Sequence, residues 1–290
     1  MESINKMTTS KIAILLATYN GENYLTQQIN SILNQTHKDW VLYIRDDGST
    51  DSTLSLIEEY QNKYSKIILL NDSKKHRGAK DSFIWMMENI ESEYYMFCDQ
   101  DDIWLDSKIE ESYSELLLME NKNSEIPSLV FTDLFVVDSS LNIISNSMWD
   151  YTRLNRVMDF KYLLIGPLTT GCTMIFNNSA RLCSLKFKNK AMMHDSLLTL
   201  SVFLNGGKLK GISSSLIYYR QHGNNTLGTS KFNKSIIYRL SNLKEIIIMN
   251  YNYFKFVNTI TNLSFTKFLL LKLDAGLRIR NISLVKYPNN

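Results

Sequence analysis

Three carboxylates stand within four residues at Asp99-Gln100-Asp101-Asp102. Like charges this close repel, and a folded chain keeps them together most readily beside a cation or a developing positive charge. Hard oxygen donors of this kind suit magnesium or manganese, held by one or two carboxylates and completed by a substrate's phosphates. Taken alone, the four residues read more readily as an acidic surface turn in which Asp102 caps a helix and the others are solvated. A second acidic group, Arg45-Asp46-Asp47-Gly48-Ser49-Thr50-Asp51, and a separate Met193-His194-Asp195 add carboxylates elsewhere in the chain. Asp195 also stands where an N-cap for a helix over Ser196–Leu204 belongs.

These groups need elements to hold them. Lys11–Ala17 is an apolar run ending at Thr18-Tyr19-Asn20-Gly21, the pattern of a buried strand entering a loop. Leu25, Ile29, Ile32 and Leu33 then recur at helical spacing. Trp40–Ile44 is a second strand, broken by the acidic group, where Ser49 or Asp51 can cap a helix bearing Leu54 and Ile57. Ile67–Leu70 is a third strand, Phe83, Met86, Met87 and Ile90 mark a helix, and Tyr94–Cys98 is a fourth strand stopping at the carboxylate cluster. Alternation of this kind implies a parallel sheet with right-handed crossovers, whose ligand crevice lies at the carboxyl ends of the strands. Residues 18–22, 46–51 and 99–102 should therefore converge on one edge. After Asp106, a candidate cap, come a helix through Ile109 and Leu117, a strand over Ser128–Val137, a short helix over Phe160–Ile165, a strand over Cys172–Phe176 and one or two strands over Lys208–Tyr219. The chain reads as a domain over 1–230, with halves at about 10–105 and 106–230, and a helical extension over 231–290.

Charge divides the same way. Residues 1–230 hold 22 Lys/Arg against 27 Asp/Glu, and residues 231–290 hold 10 against 2. The basic tail is rich in Tyr, Phe, Ile and Leu, a mixture that suits helices lying on an anionic membrane and equally a basic cap packed on the domain. Nucleic acid is not an expected partner, because the tail matches no nucleic-acid module and the acidic body opposes one. Three cysteines without paired spacing suggest free thiols in a reducing compartment. No leader pattern and no apolar run of about 18 residues is present, so the expected location is cytoplasmic. P-loop, dinucleotide, serine-hydrolase and zinc-protease motifs are missing.

Thr18–Gly21, Arg45–Asp51 and Phe97–Trp104 (FCDQDDIW) in this order resemble the family 2 glycosyltransferases. Met193-His194-Asp195 and Tyr219–Asn225 (YRQHGNN) are similar to the rhamnosyltransferase-like members that build bacterial surface polysaccharides. The resemblance spans roughly residues 10–228. It implies an α/β fold of the GT-A type, a Rossmann-like and mostly parallel sheet flanked by helices, carrying here a C-terminal helical extension. It also implies an inverting transfer from a nucleotide diphosphate donor, dTDP- or UDP-linked, to a saccharide acceptor, with manganese or magnesium as cofactor; the basic, aromatic tail adds the expectation that the acceptor is lipid-linked and presented at the inner face of the cell membrane. Asp47 would accept the imide N–H of the base. Thr18, Tyr19, Asn20, Glu22, Gln100 and Asp102 would line the donor site. Arg77 and Lys80, at a helix start, would face its phosphates, an exposed basic turn being the alternative. Asp101 would bind the metal directly, Asp99 would lie nearer the ribose or a metal-bound water, and His222 would complete the set or serve the structure. Asp195 would be the general base. His194 would orient the acceptor or pack. A nucleotidyltransferase is a weaker reading, since such enzymes carry a Gly-rich, Arg-containing loop where this chain has Thr18–Gly21. A non-catalytic nucleotide-sugar binding module is the third.

Overall fold

The computed structural model describes residues 11–154, 159–222 and 242–281. Its centre is one nine-stranded sheet. Strands β1 (Ile12–Thr18), β2 (Trp40–Asp46), β3 (Ile67–Leu69) and β4 (Tyr94–Asp99) pair in parallel, in the spatial order β3-β2-β1-β4. Helices α1 (Leu25–Leu33), α2 (Thr53–Lys63) and α3 (Gly78–Asn89) form the crossovers. Strands β1, β2 and β4 are buried on both faces, which explains why their sequences are continuous apolar runs rather than alternating ones.

Beyond β4 the sheet changes direction. A two-residue β5 (Ile103–Trp104) leads to α4 (Lys108–Glu120), β6 (Ser128–Val137), β7 (Ile143–Ser145) and α5 (Met148–Thr152). Short 3-10 turns over Phe160–Leu164 and Gly171–Thr173 precede β8 (Met174–Asn177), α6 (Asn178–Leu185), α7 (His194–Leu204) and β9 (Lys208–Arg220). The order continues β4-β8-β6-β9-β5, with β8 antiparallel to β4 and β6, and β9 parallel to β6. Parallel pairing therefore characterises the first half and a mixed arrangement the second. The strand expected from Cys172 begins at Met174, because Gly171–Thr173 form the 3-10 turn.

Two apolar clusters flank the sheet. One, around Leu15, Phe83, Phe97, Phe131, Phe176 and Leu197, is closed by the C-terminal helices α8 (Leu243–Thr261) and α9 (Phe265–Asn281), through Tyr253, Phe256, Val257 and Phe268. The other holds Ile14, Leu42, Ile57, Trp104 and Ile217. The tail is thus helical as expected, and its boundary at residue 231 lies outside the described residues.

Candidate active site

Loops at the carboxyl ends of β1, β2 and β4 do meet. Thr18 is buried and its hydroxyl donates to Gln100 Oε1 at 2.6 Å, while the Tyr19 N–H donates to the same oxygen at 2.9 Å. The Gln100 amide returns a bond to the Tyr19 carbonyl at 3.2 Å. Gly21 is required here by close approach: a Cβ would stand 2.6 Å from Gln100 Oε1 and 2.8 Å from Thr18 Oγ1. Asn20 and Glu22 face the second loop. Asn20 Oδ1 accepts from the Thr50 N–H at 2.9 Å, and Glu22 Oε2 from the Ser52 N–H at 2.9 Å. Of the residues read as donor contacts on these loops, Thr18, Asn20, Glu22 and Gln100 are committed to joining the loops, and Tyr19 is left about half exposed. The α2 start is held by Asp51, whose Oδ1 accepts from the Thr53 N–H at 3.0 Å.

Asp47 sits in a cage of donors. Oδ1 accepts from Arg45 Nη1 at 2.7 Å and from the Arg77 N–H at 2.8 Å, and Oδ2 accepts from the Gly78 N–H at 2.8 Å. Burial pushes its acidity down, but the Arg45 guanidinium and the two backbone N–H groups outweigh it and hold the carboxyl below the usual range. A carboxylate oxygen offers two lone pairs, so Oδ1 is filled and Oδ2 keeps one acceptor position. Arg45 is itself fully buried and also bonds Asp72, Ser82 Oγ and the Lys74 carbonyl. Asp72 pairs with Arg77 as well, at 2.7 and 3.1 Å, and the Arg77 guanidinium lies 5.8 Å over the Trp85 ring. Arg77 therefore brings its backbone N–H to Asp47 while its side chain turns to Asp72. Lys80 pairs with Asp81 at 3.1 Å and lines a cleft of about 360 Å³ on the outer side of α3 with Trp85 and Lys188.

At the β4 end, Asp99, Asp102 and Cys172 place their ligating atoms within 4.8 Å of one another. Asp102 is buried, one oxygen accepting the Arg220 N–H at 3.2 Å and the other, Oδ2, without a hydrogen bond. Burial and the charges of Asp101 and Asp99 raise its pKa well above a carboxylate's usual range. Asp99 keeps part of its surface open, yet burial followed by the Asp101 and Asp195 carboxylates lifts it to about 7. Asp102 does not cap α4, which begins at Lys108 behind Ser107; Asp106 is not its cap either, its carbonyl accepting instead from the Thr36 N–H at 2.8 Å. Asp101 points the other way, its Oδ2 lying 2.8 Å from His222 Nε2. The His222 ring stacks on Tyr24 at 4.9 Å.

Asp195 comes from the opposite half. It lies in the first turn of α7, whose N-cap position is Met193, so capping is not its job. Oδ1 accepts from the Ser196 N–H at 2.6 Å, and among the described residues Oδ2 has no partner. Its charge reaches Asp99, so carboxylates from the two halves share one field. His194 is buried between Phe83, at 4.2 Å, and Phe97, at 4.7 Å, and burial lowers its pKa to about 4. It packs as a neutral ring.

The sequence and the fold recur in known proteins. A model of glycosyl transferase family 2 matches residues 13–176. The chain belongs to that family. The glycosyltransferase is 29% identical over 258 residues to the dTDP-rhamnosyl transferase RfbG of Shigella flexneri, covering 85% of this chain and 83% of that one. It is 23% identical over 225 residues to the putative teichuronic acid biosynthesis glycosyltransferase TuaG of Bacillus subtilis, covering 76% and 82%. Its fold is shared with S. aureus TarS 1–349 in complex with UDP, at a TM-score of 0.58 and 17% identity, over 93% of this chain and 88% of that one.

In this glycosyltransferase the carboxylates after β4 are hard oxygen donors of the kind a divalent ion takes. Asp101 and His222 converge at 2.8 Å, while the Asp99 carboxylate groups with Asp102 and Cys172 at the end of β4. Cys172 does not fit, because burial raises its thiol well above the usual range and keeps it protonated, while magnesium and manganese take oxygen donors. Three residues that the motifs did not single out hold the site: Arg45, Asp72 and Arg220. Arg220 is buried, bonding the Asp101 carbonyl at 2.9 Å, the Ser139 carbonyl at 2.7 Å and Gln27 Oε1 at 2.6 Å. A cation inside the YRQH motif was its one visible signal.

Proposed function

We propose that this glycosyltransferase catalyses an inverting transfer from a dTDP- or UDP-sugar, rhamnose being the candidate sugar, to a lipid-linked saccharide in bacterial surface polysaccharide synthesis. The observation that carries the reading is the carboxylate cluster at the end of β4, where Asp101 lies 2.8 Å from His222 beyond β9 and Asp99 feels the charge of Asp195 from α7. The likeness to RfbG supports dTDP-rhamnose, and the solved complex of TarS with UDP keeps UDP-sugars in view.

The free acceptor position on Asp47 Oδ2 suits the imide N–H of a uracil or thymine, which present the same edge. Tyr19 offers an exposed ring, edge-on to His76 at 5.7 Å, for the base or ribose. Arg77 and Lys80 reach the donor only by leaving their pairs with Asp72 and Asp81, so their part in phosphate binding is secondary. Asp101, His222 and Asp99 would hold magnesium or manganese, whose chemistry there is Lewis-acid stabilisation of charge on the departing diphosphate. Asp102, buried under Arg220, sets the shape of the cluster.

Asp195 takes the proton. Its unpartnered Oδ2 accepts the acceptor's hydroxyl hydrogen as that oxygen bonds the anomeric carbon and the bond to the diphosphate breaks on the opposite face. One carboxylate suffices, since single displacement forms no glycosyl-enzyme. The basic, aromatic tail supports work at the cytoplasmic face of the cell membrane.

The test is release of free nucleoside diphosphate from a panel of dTDP- and UDP-sugars, with and without manganese or magnesium and a polyprenyl-linked acceptor. Metal-dependent release that requires the acceptor supports the proposal. Donor binding without any release identifies a binding module and refutes it.

A further inference from the structure

Helices α8 and α9 are apolar on two opposite sides. Their inner sides close the core through Tyr253, Phe256, Val257 and Phe268. On the outer side of α8, Leu243, Ile247 and Tyr251 recur every four residues, with Ile248 beside them, and all are exposed. On α9, Phe265, Leu269, Leu273 and Leu277 do the same, with Leu270 beside them. Residues four apart lie on one side of a helix, so the α9 row is a stripe about 18 Å long at about 1.5 Å per residue. A folded protein rarely leaves so continuous a row in water without using it.

The charge around the rows says what covers them. Among the described residues the two helices carry Lys244, Lys255, Lys267, Lys272, Arg278 and Arg280 against Glu245 and Asp274. Asp274 is already engaged by Tyr162, Lys161 and Arg278. Lys255 lies over the Tyr251 ring at 4.7 Å, its ammonium beside the apolar row. A second copy docked on this surface would set lysines against lysines with almost no acid to meet them. An anionic lipid leaflet accepts both parts, taking the apolar row into its acyl boundary and the ammonium groups at its phosphates. Neither helix is long and apolar enough to cross a membrane, which fits a helix pair lying on one.

We propose that the outer face of α8 and α9 is a docking surface for anionic phospholipid. The inference rests on the proposed membrane location and deepens it by naming the residues and the lipid chemistry. Among the hydrogen bonds that fix the helices to the half over residues 106–230, Tyr162 Oη donates to Asp274 Oδ2 at 2.6 Å and Tyr253 Oη to the Leu163 carbonyl at 2.8 Å. The turn over Phe160–Leu164 that receives them packs on α7, which carries Asp195. A lipid surface under these helices thus has a fixed relation to the proposed base.

The experiment is flotation of the full chain with phosphatidylcholine vesicles, with or without about one third phosphatidylglycerol, at physiological salt. The unmodified chain should float with the anionic vesicles only. A Leu269→Asp, Leu273→Asp double variant should lose at least tenfold in vesicle affinity while keeping its circular dichroism and its UDP-induced thermal shift. Should that variant fail to fold, Lys244→Gln with Lys255→Gln should cost about fivefold per lysine, the equivalent of ~1 kcal/mol each. Equal flotation of the variant, equal binding to neutral vesicles, or a stable dimer that the leucine variant makes monomeric would overturn the inference. Flotation by a chain that releases no nucleoside diphosphate would leave the docking surface standing and refute the proposed activity instead.

Discussion

Replacing Asp47 by Asn probes the donor cage with little change of shape. The carboxylate accepts three hydrogen bonds, from Arg45 Nη1, the Arg77 N–H and the Gly78 N–H. An amide presents one oxygen and one NH2, so whichever way it turns, at least one inward-pointing donor meets another donor. Losing a charge-assisted bond costs about 1.5–3 kcal/mol, and an orphaned N–H about 1–3 kcal/mol. Asp72, Ser82 and the Lys74 carbonyl continue to hold Arg45, which keeps the net loss near ~3 kcal/mol rather than the full sum. Urea unfolding monitored by tryptophan fluorescence measures it. The pH dependence gives a second check. Asp47 is held below its unfolded value, so its contribution is complete above an unfolded pKa of about 3.9 and is lost as pH falls through the lower folded value. The gap between the two proteins should stay constant from pH 8 to pH 5 and close only below about pH 4. UDP affinity should fall as well. Equal stability at pH 7, or a gap that widens toward acid, would refute the cage as described.

Three further outcomes follow from the geometry. Gly21→Ala pushes a methyl against Gln100 Oε1 and breaks its bonds to Thr18 and Tyr19, at about 0.5–1.5 kcal/mol each, so thermal unfolding should come earlier and UDP should bind more weakly. His194 stays neutral to about pH 4 when folded but titrates near 6.5 when unfolded, so stability is full above pH 6.5 and falls as pH drops from there toward 4; His194→Leu should flatten that slope in urea titrations at pH 7 and pH 5. His222→Gln should weaken manganese affinity at least tenfold, read from the manganese titration of the thermal shift with UDP, while leaving the metal-free melting temperature within a few degrees.

Much of this was written in the chain. The four parallel strands and their helices follow from buried apolar runs and helical spacing, because a strand covered on both faces needs apolar residues at every position. The convergence of the three loops follows from that topology alone. The antiparallel entry of β8 beside β4 does not, since four residues of strand carry no direction in their sequence. Asp102 and Arg220 are 118 residues apart and meet only through the β5–β9 pairing. Asp72 stands in a polar stretch with no period to mark it, so its hold on Arg45 and Arg77 was invisible. The loop residues Thr18, Asn20, Glu22 and Gln100 were recognisable as a group, but whether their polar atoms faced a ligand or one another depended on distances that only the folded loops supply.

The division of labour between a donor-holding half and a deprotonating residue in the other half is tested most directly by Asp195→Asn in one paired measurement: donor affinity by calorimetry and transfer to acceptor by product release. The amide keeps an oxygen for the Ser196 N–H and cannot take a proton, so donor affinity should stay within about twofold while transfer falls by about 10²–10⁴. Transfer at the unmodified rate, or a loss of donor binding equal to the loss of transfer, would contradict the account.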